Sequence, residues 1–282
     1  MGKVINIDFN QKLIAKEELP LFGKHILITS PRNYAGILVK YLVERGAKPV
    51  WMPTIEIEPV KDYHALDNAI NGLSGYDWVG FSSRNGIEAF FKRLNVLKIN
   101  PQEAFRKTKT CAIGADSEAL ESRGITPDLI PEEASTEGIV EEMKRRNIKS
   151  GRILLPVPEV IGMKEPRIVP EFVARLKRLG MDVERIPAYT TAPVKNGYDL
   201  EKKMLINCEI DVVTFTSSAE VDSMLSILGN RKEALNSTTI ACVGPYTGAT
   251  AKNMGLDVKI MPENNFSSFH CLIEEMERYF GK

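Results

Sequence analysis

The chain is poor in the features that usually fix a protein's chemistry at once. Of its 282 residues only four are cysteines, Cys111, Cys208, Cys242 and Cys271, and no two form a C-x-x-C pair. Its three histidines, His25, His64 and His270, lie far apart. That spacing argues against a zinc site or a disulfide framework and for small buried hydrophobes in a reducing compartment. Lys+Arg and Asp+Glu are both 37, so the net charge is +0, which disfavours bulk attraction to nucleic acid or an anionic membrane. No apolar run approaches the roughly 20 residues needed to span a bilayer, and MGKVINIDFNQKLIAKEELPLF has no apolar signal core. G-x-G-x-x-G, Walker A and G-x-S-x-G patterns are all missing, so a nucleotide cofactor and a nucleophile elbow are disfavoured.

What is present is an internal duplication. Gly46, Pro53, Pro59, Val60, Asp77, Val79, Phe81 and Ser83 recur as Gly180, Pro187, Pro193, Val194, Asp211, Val213, Phe215 and Ser217. Ile113-Gly114 answers to Val243-Gly244, Gly124 to Gly255, and Ile139–Met143 to Leu272–Met276. The period is too long for a solenoid and implies two similar lobes facing a cleft.

Short β-branched runs alternate with amphipathic helical stripes, the pattern of strand–helix–strand units on a parallel sheet. Strands are expected at 25–29, 48–52, 78–82, 110–113 and 128–130, and again at 152–156, 182–186, 211–216, 239–243 and 257–261. Five per copy suggest an α/β fold of two flavodoxin-like, doubly wound domains. Gly46 and Gly180 stand where helix ends favour the left-handed conformation. Pro53–Val60 and Pro187–Val194 are equivalent, extended and bounded by proline, which suits paired linkers. If both cross between lobes, connectivity is interleaved. The expected division is then an N-terminal extension over 1–21, one domain from 22–52 and 195–282, a second over 61–186, and linkers at 53–60 and 187–194.

Ligands of such sheets bind beyond the C-terminal strand ends. That rule selects the loops Ser30–Tyr34, Ser82–Gly86, Gly114–Ser117, Pro156–Pro158, Thr216–Ala219 and Gly244–Gly248. Each is expected to open a helix whose free N–H groups hold carboxylates or phosphates. The same hydroxyls also fit simple capping: Ser217-x-x-Glu220 and Asn85-x-x-Glu88 read as capping boxes, and Pro245 suits the first helical position. Tyr189 breaks the duplication, since the first copy has Ile55 there. Its phenol either packs in the core or donates a proton while neutral.

At these residues the chain resembles the uroporphyrinogen-III synthase family over about 22–282. The resemblance rests on Asp211-Val-Val-Thr-Phe-Thr-Ser-Ser218, its duplicate Phe81-Ser-Ser83, Ala241-Cys-Val-Gly-Pro-Tyr-Thr247 and Ile186-Pro-Ala-Tyr-Thr-Thr191. It implies two interleaved lobes joined by two linking strands, no cofactor and no metal. The implied substrate is hydroxymethylbilane, a linear tetrapyrrole with eight carboxylates. Loss of its hydroxyl gives an azafulvene on ring A. Ring D then attacks through its substituted carbon, and a spiro intermediate leads to inversion of ring D in uroporphyrinogen III. Tyr189 matches the family's proton-donating tyrosine. The implied substrate contacts are Arg32, Ser82, Ser83, Arg84, Gly114, Pro156, Thr216, Ser217, Ser218, Gly244, Pro245, Tyr246 and Thr247. The chain departs from the family in its Pro156–Pro166 segment, in Tyr246 and in the displaced Arg32. A cytoplasmic monomer (plastid-stromal in a photosynthetic eukaryote) follows from the resemblance, with transient contact to the preceding synthase and no nucleic-acid or membrane partner. The alternative is a non-catalytic two-lobe protein that binds a tetrapyrrole or small anion.

Overall fold

A computed structural model describes residues 19–263 and 268–281. Ten strands are described: β1 His25–Ile28, β2 Lys48–Trp51, β3 Ile55–Pro59, β4 Trp78–Phe81, β5 Lys109–Ala112, β6 Gly151–Val160, β7 Met181–Pro193, β8 Val212–Phe215, β9 Thr239–Cys242 and β10 Val258–Ile260. The helices among these residues are α1 Arg32–Glu44, α2 His64–Asn71, α3 Arg84–Val96, α4 Pro101–Ala104, α5 Ser117–Glu121, α6 Thr136–Arg145, α7 Ile168–Leu179, α8 Asp199–Ile206, α9 Ser218–Leu228, α10 Pro245–Asn253 and α11 Phe269–Phe280.

Two sheets divide the strands. Sheet one runs β10-β9-β8-β1-β2 and is parallel throughout; sheet two runs β3-β7-β6-β4-β5. Sheet one therefore draws β1 and β2 from the start of the chain and β8 to β10 from its end, so the connectivity is interleaved. Its strand order is that of a flavodoxin-like sheet. In sheet two the place of a fifth parallel strand is held only by a single bridge, Cys111 to Leu129, so 128–130 is not a strand. The segment still touches the edge of β5: the Asp128 and Leu129 amides donate to Thr110 O at 2.9 and 3.1 Å, and the Asp128 carboxylate accepts from the Thr110 amide at 2.8 Å.

The stretches expected as linkers are strands of sheet two. β3 pairs antiparallel with the end of β7, from Ile55 opposite Pro193 to Pro59 opposite Tyr189, and β6 follows β7 as far as Val160 opposite Thr191. Pro53 and Pro59 bound β3 at a sheet edge, where a missing N–H is tolerated. Pro156 lies inside β6 and is buried, so the segment 156–158 continues a strand and opens no helix. This corrects the expected loop. Thr54 pins the crossing to lobe one: its amide donates to Thr29 O at 3.0 Å and its carbonyl accepts from Ser223 Oγ at 2.6 Å. Of the expected extension 1–21, residues 1–18 lie outside the described residues, and Leu21 is fully buried against Ile26, Leu38 and Leu42 in lobe one.

Each sheet has an apolar layer on both faces. The cysteines Cys111 and Cys242 are buried in those layers, and burial pushes both thiols up to about 12. They behave as hydrophobes. Helix ends follow local chemistry: Gly180 closes α7 at φ 99, and Ser83, Ser135, Ser217 and Ser268 cap α3, α6, α9 and α11 through their hydroxyls.

Candidate active-site cleft

A cleft of about 520 Å³ opens between the lobes beyond the strand ends. Lobe one contributes Thr216, Ser217 and Ser218 at the start of α9, Gly244 to Thr247 at the start of α10, and Ser268 to His270 at the start of α11. Lobe two contributes Ser82 to Asn85 at the start of α3, Asp116, and Ser135 with Thr136 at the start of α6. Tyr34 reaches in from α1, and Ile55, Ile57, Tyr189 and Thr191 line the crossing strands. Asn33 Nδ2 donates to Asn85 Oδ1 at 2.7 Å and ties the two lobes together at one rim.

Several helix N-termini thus converge on one space, each with backbone donors and a positive dipole end. The serine caps satisfy one amide apiece, whereas α10 begins at Gly244 with no side-chain cap. Its first-turn amides, Tyr246 and Thr247 among them, offer a seat for an anion. The two copies differ at the serine loops. In lobe one the Glu220 carboxylate, 1% exposed, accepts from the Thr216 amide at 2.8 Å, Thr216 Oγ1 at 2.6 Å and Ser217 Oγ at 3.1 Å, and lies 2.8 Å from Thr29 Oγ1. The Glu220 carboxyl already occupies that cradle. The reach goes one residue beyond an ordinary capping box, to the residue before the cap. At the equivalent place in lobe two stands Gly86, which packs against the Pro156 carbonyl and carries no side chain. The cap there is Ser83, with Gly86 N at 3.2 Å, and Asn85 lies inside α3; the expected Asn85 box does not form.

The phenol of Tyr189 lies 3.0 Å from Ser83 Oγ, with the residue only 6% exposed. Burial pushes it up to about 12, against the Ser83 hydrogen bond. Tyr34 is driven higher still by burial, with Asp116 and Tyr189 adding. Asp116 is pushed up to about 7 by burial, opposed by the charge and backbone amide of Arg84.

A family model described as uroporphyrinogen-III synthase HemD matches residues 37–268, most of the chain. The chain belongs to the uroporphyrinogen-III synthase family. Among curated relatives, "Porphyrin biosynthesis protein HemD" of Ruminiclostridium josui is 28% identical over 277 residues, which cover 95% of this chain and 51% of that protein. The chain thus spans about half the length of that relative. A uroporphyrinogen-III synthase of Chlorobaculum parvum is 28% identical over 243 residues, 85% of this chain and 93% of its own length. A mutant uroporphyrinogen III synthase from Thermus thermophilus superposes with a TM-score of 0.64 at 16% identity, covering 91% of this chain and 98% of that one, and so shares the two-lobed fold.

Within this family fold, Tyr189, Ser82, Ser83, Arg84, Thr216, Ser217, Ser218, Gly244, Pro245, Tyr246 and Thr247 all line the cleft. Three expected contacts do not. Arg32 is exposed over the Trp51 ring, 6.0 Å from its centroid, in a neighbouring groove of about 890 Å³. Gly114 starts a tight turn at φ 42 with its carbonyl on Ser117 Oγ, and its neighbours Ile113 and Asp116 face the cleft instead. Pro156 is inside β6. Sequence reasoning selected the loop that holds Tyr34 without naming it as a contact, and missed Ser135, Thr136, Ser268 and His270. The duplication contained the signal for two of them: the echo of Ile139–Met143 in Leu272–Met276, traced back four residues, sets Ser135 against Ser268. Among the described residues no three His, Cys, Asp or Glu side chains gather as a metal site, and no helix is long and apolar enough to cross a membrane.

Proposed function

We infer that this chain is a uroporphyrinogen-III synthase that closes hydroxymethylbilane with inversion of ring D, releasing water. The family match supports the activity, and the Tyr189–Ser83 pair on the cleft floor is the observation that carries the mechanism. A flexible chain with eight carboxylates needs many converging donors to fold before it closes. The starts of α3, α6, α10 and α11 supply amides and hydroxyls from both lobes at once. Holding ring A against ring D is an orientation task, and orientation alone lowers such barriers substantially. Tyr189 serves as a neutral hydrogen-bond donor to the departing hydroxyl.

The crossing strands belong to sheet two, so lobe motion concentrates at their lobe-one ends, near Met52–Pro53 and Val194–Lys195. The domains 22–52 with 195–282 and 61–186 then open and close about that pair. The protein works as a cytoplasmic monomer that receives the labile bilane from the preceding synthase.

Supplying hydroxymethylbilane and separating the oxidised products tests the reading. Isomer III above the spontaneous rate is expected; isomer I alone, at that rate, would overturn it. Tyr189→Phe is expected to slow turnover by about tenfold, below the usual range for a general acid, because the leaving group is labile. An unchanged kcat would remove Tyr189 from the mechanism without touching the activity.

A further inference from the structure

Atom balance in this reaction leaves a role that the tyrosine does not fill. The ring A hydroxyl must gain a proton to depart as water, and the free α-carbon of ring D must lose one after the last bond forms. A phenol held near 12 is a sound hydrogen-bond donor but a poor source of a proton. We propose, on the basis of the synthase reading, that Asp116 is a catalytic residue that gives the first proton and takes back the second.

Its placement supports this. Asp116 lies half-buried on the lobe-two wall of the cleft, in the turn between β5 and α5. Tyr189 from β7 and Tyr34 from α1 both lie within reach of its charge. From α3, Arg84 faces it with side chain and amide while Glu88 repels it, and Glu118 of the helix that follows it, α5, also lines the cleft. The serine loops offer donors; Asp116 is an acidic side chain whose charge reaches both phenols, and the Ser117 hydroxyl beside it donates to Gly114 O. Burial places its titration at about 7, so both forms are available at neutral pH. A bound substrate with eight negative charges raises that value further and keeps the proton in place until it is used.

The sequence closes on itself. The Asp116 O–H passes its proton to the ring A hydroxyl as the C–O bond breaks, the bonding pair leaves with water, and the pyrrole nitrogen pair fills the azafulvene cation. Ring D attacks, the spiro intermediate opens to a second azafulvene, and the free α-carbon of ring D closes the macrocycle. The Asp116 carboxylate then removes the hydrogen of that carbon, and the C–H pair restores the aromatic pyrrole. The carboxyl ends protonated, with one water lost and no co-reactant.

The pH dependence of isomer III formation tests this in wild type, Asp116→Asn and Asp116→Glu, with thermal melting to confirm folding. Wild-type kcat/KM is expected to fall as pH rises through about 7, since the protonated carboxyl is the active form. Asn is expected to lower kcat at least about a hundredfold and abolish that limb, and Glu to restore most of the rate with a displaced limb. An Asn variant within threefold of wild type, or a slow one that keeps the limb, overturns the proposal while leaving the synthase reading intact. A wild-type protein that yields only isomer I overturns the synthase reading itself and this assignment with it.

Discussion

Replacing Glu220 with alanine is expected to lower folding stability by about 2–4 kcal/mol, measured by urea unfolding at pH 7. The carboxylate is buried and accepts from the Thr216 amide and from the Thr216 and Ser217 hydroxyls, beside Thr29 of β1. Removing it orphans the amide and leaves a void under α9. Glu220→Gln keeps an acceptor for the amide and should lose less. The two variants also separate charge from shape. Burial raises the Glu220 carboxyl above its ordinary 4.5, against the hydrogen bonds from Thr216, Thr29 and Ser217. The stability this group contributes is therefore fully present below 4.5 and is lost as pH rises through its higher folded value. Gln should remove that slope. An alanine variant as stable as wild type would show that the lobe-one loop does not depend on the Glu220 carboxyl.

Phe81→Ala is expected to cost lobe two about 3–5 kcal/mol, the range for a buried phenylalanine truncated to alanine. Phe81 has no exposed surface and meets Phe90 edge-on at 5.7 Å and Phe91 at 6.5 Å; Phe105 completes the cluster against both. It also immediately precedes the Ser82–Ser83 loop, so its loss should loosen one wall of the cleft. The two tryptophans provide separate reporters, Trp51 on β2 of sheet one and Trp78 on β4 of sheet two. In a Trp51→Phe background, fluorescence should report the lower midpoint through Trp78. A loss under about 1 kcal/mol there would mean that the aromatic cluster does not hold lobe two together.

Much of the fold was legible in the chain. Val79 and Phe81 recur as Val213 and Phe215 because both sit on central parallel strands buried on two faces, where side chains tolerate little change. The serine after each strand recurs because a helix start needs a cap at that point. The 128–130 segment misled because a short apolar run has no period of its own, and its backbone pairs with β5 over a single bridge only. Pro156 and Pro158 misled for a related reason. Proline usually marks a loop, yet these two continue along β6 past a register shift beside Val157.

The candidate site was legible only as a set of loops. The order of the motifs and the duplication determined the family resemblance, the interleaved lobes and the tyrosine on the crossing strand, because each is a pattern written in short local segments that can be compared along the chain. Which loop is free to take an anion depended on contacts across long sequence separation. Glu220 fills one copy of the serine cradle and Gly86 leaves the other without a side chain. Arg32 swings onto Trp51 and away from the cleft. Asp116 acquires its character from burial and from Arg84, Glu88 and the two phenols gathered around it. Desolvation and charge coupling act through space, so only the tertiary structure could decide them.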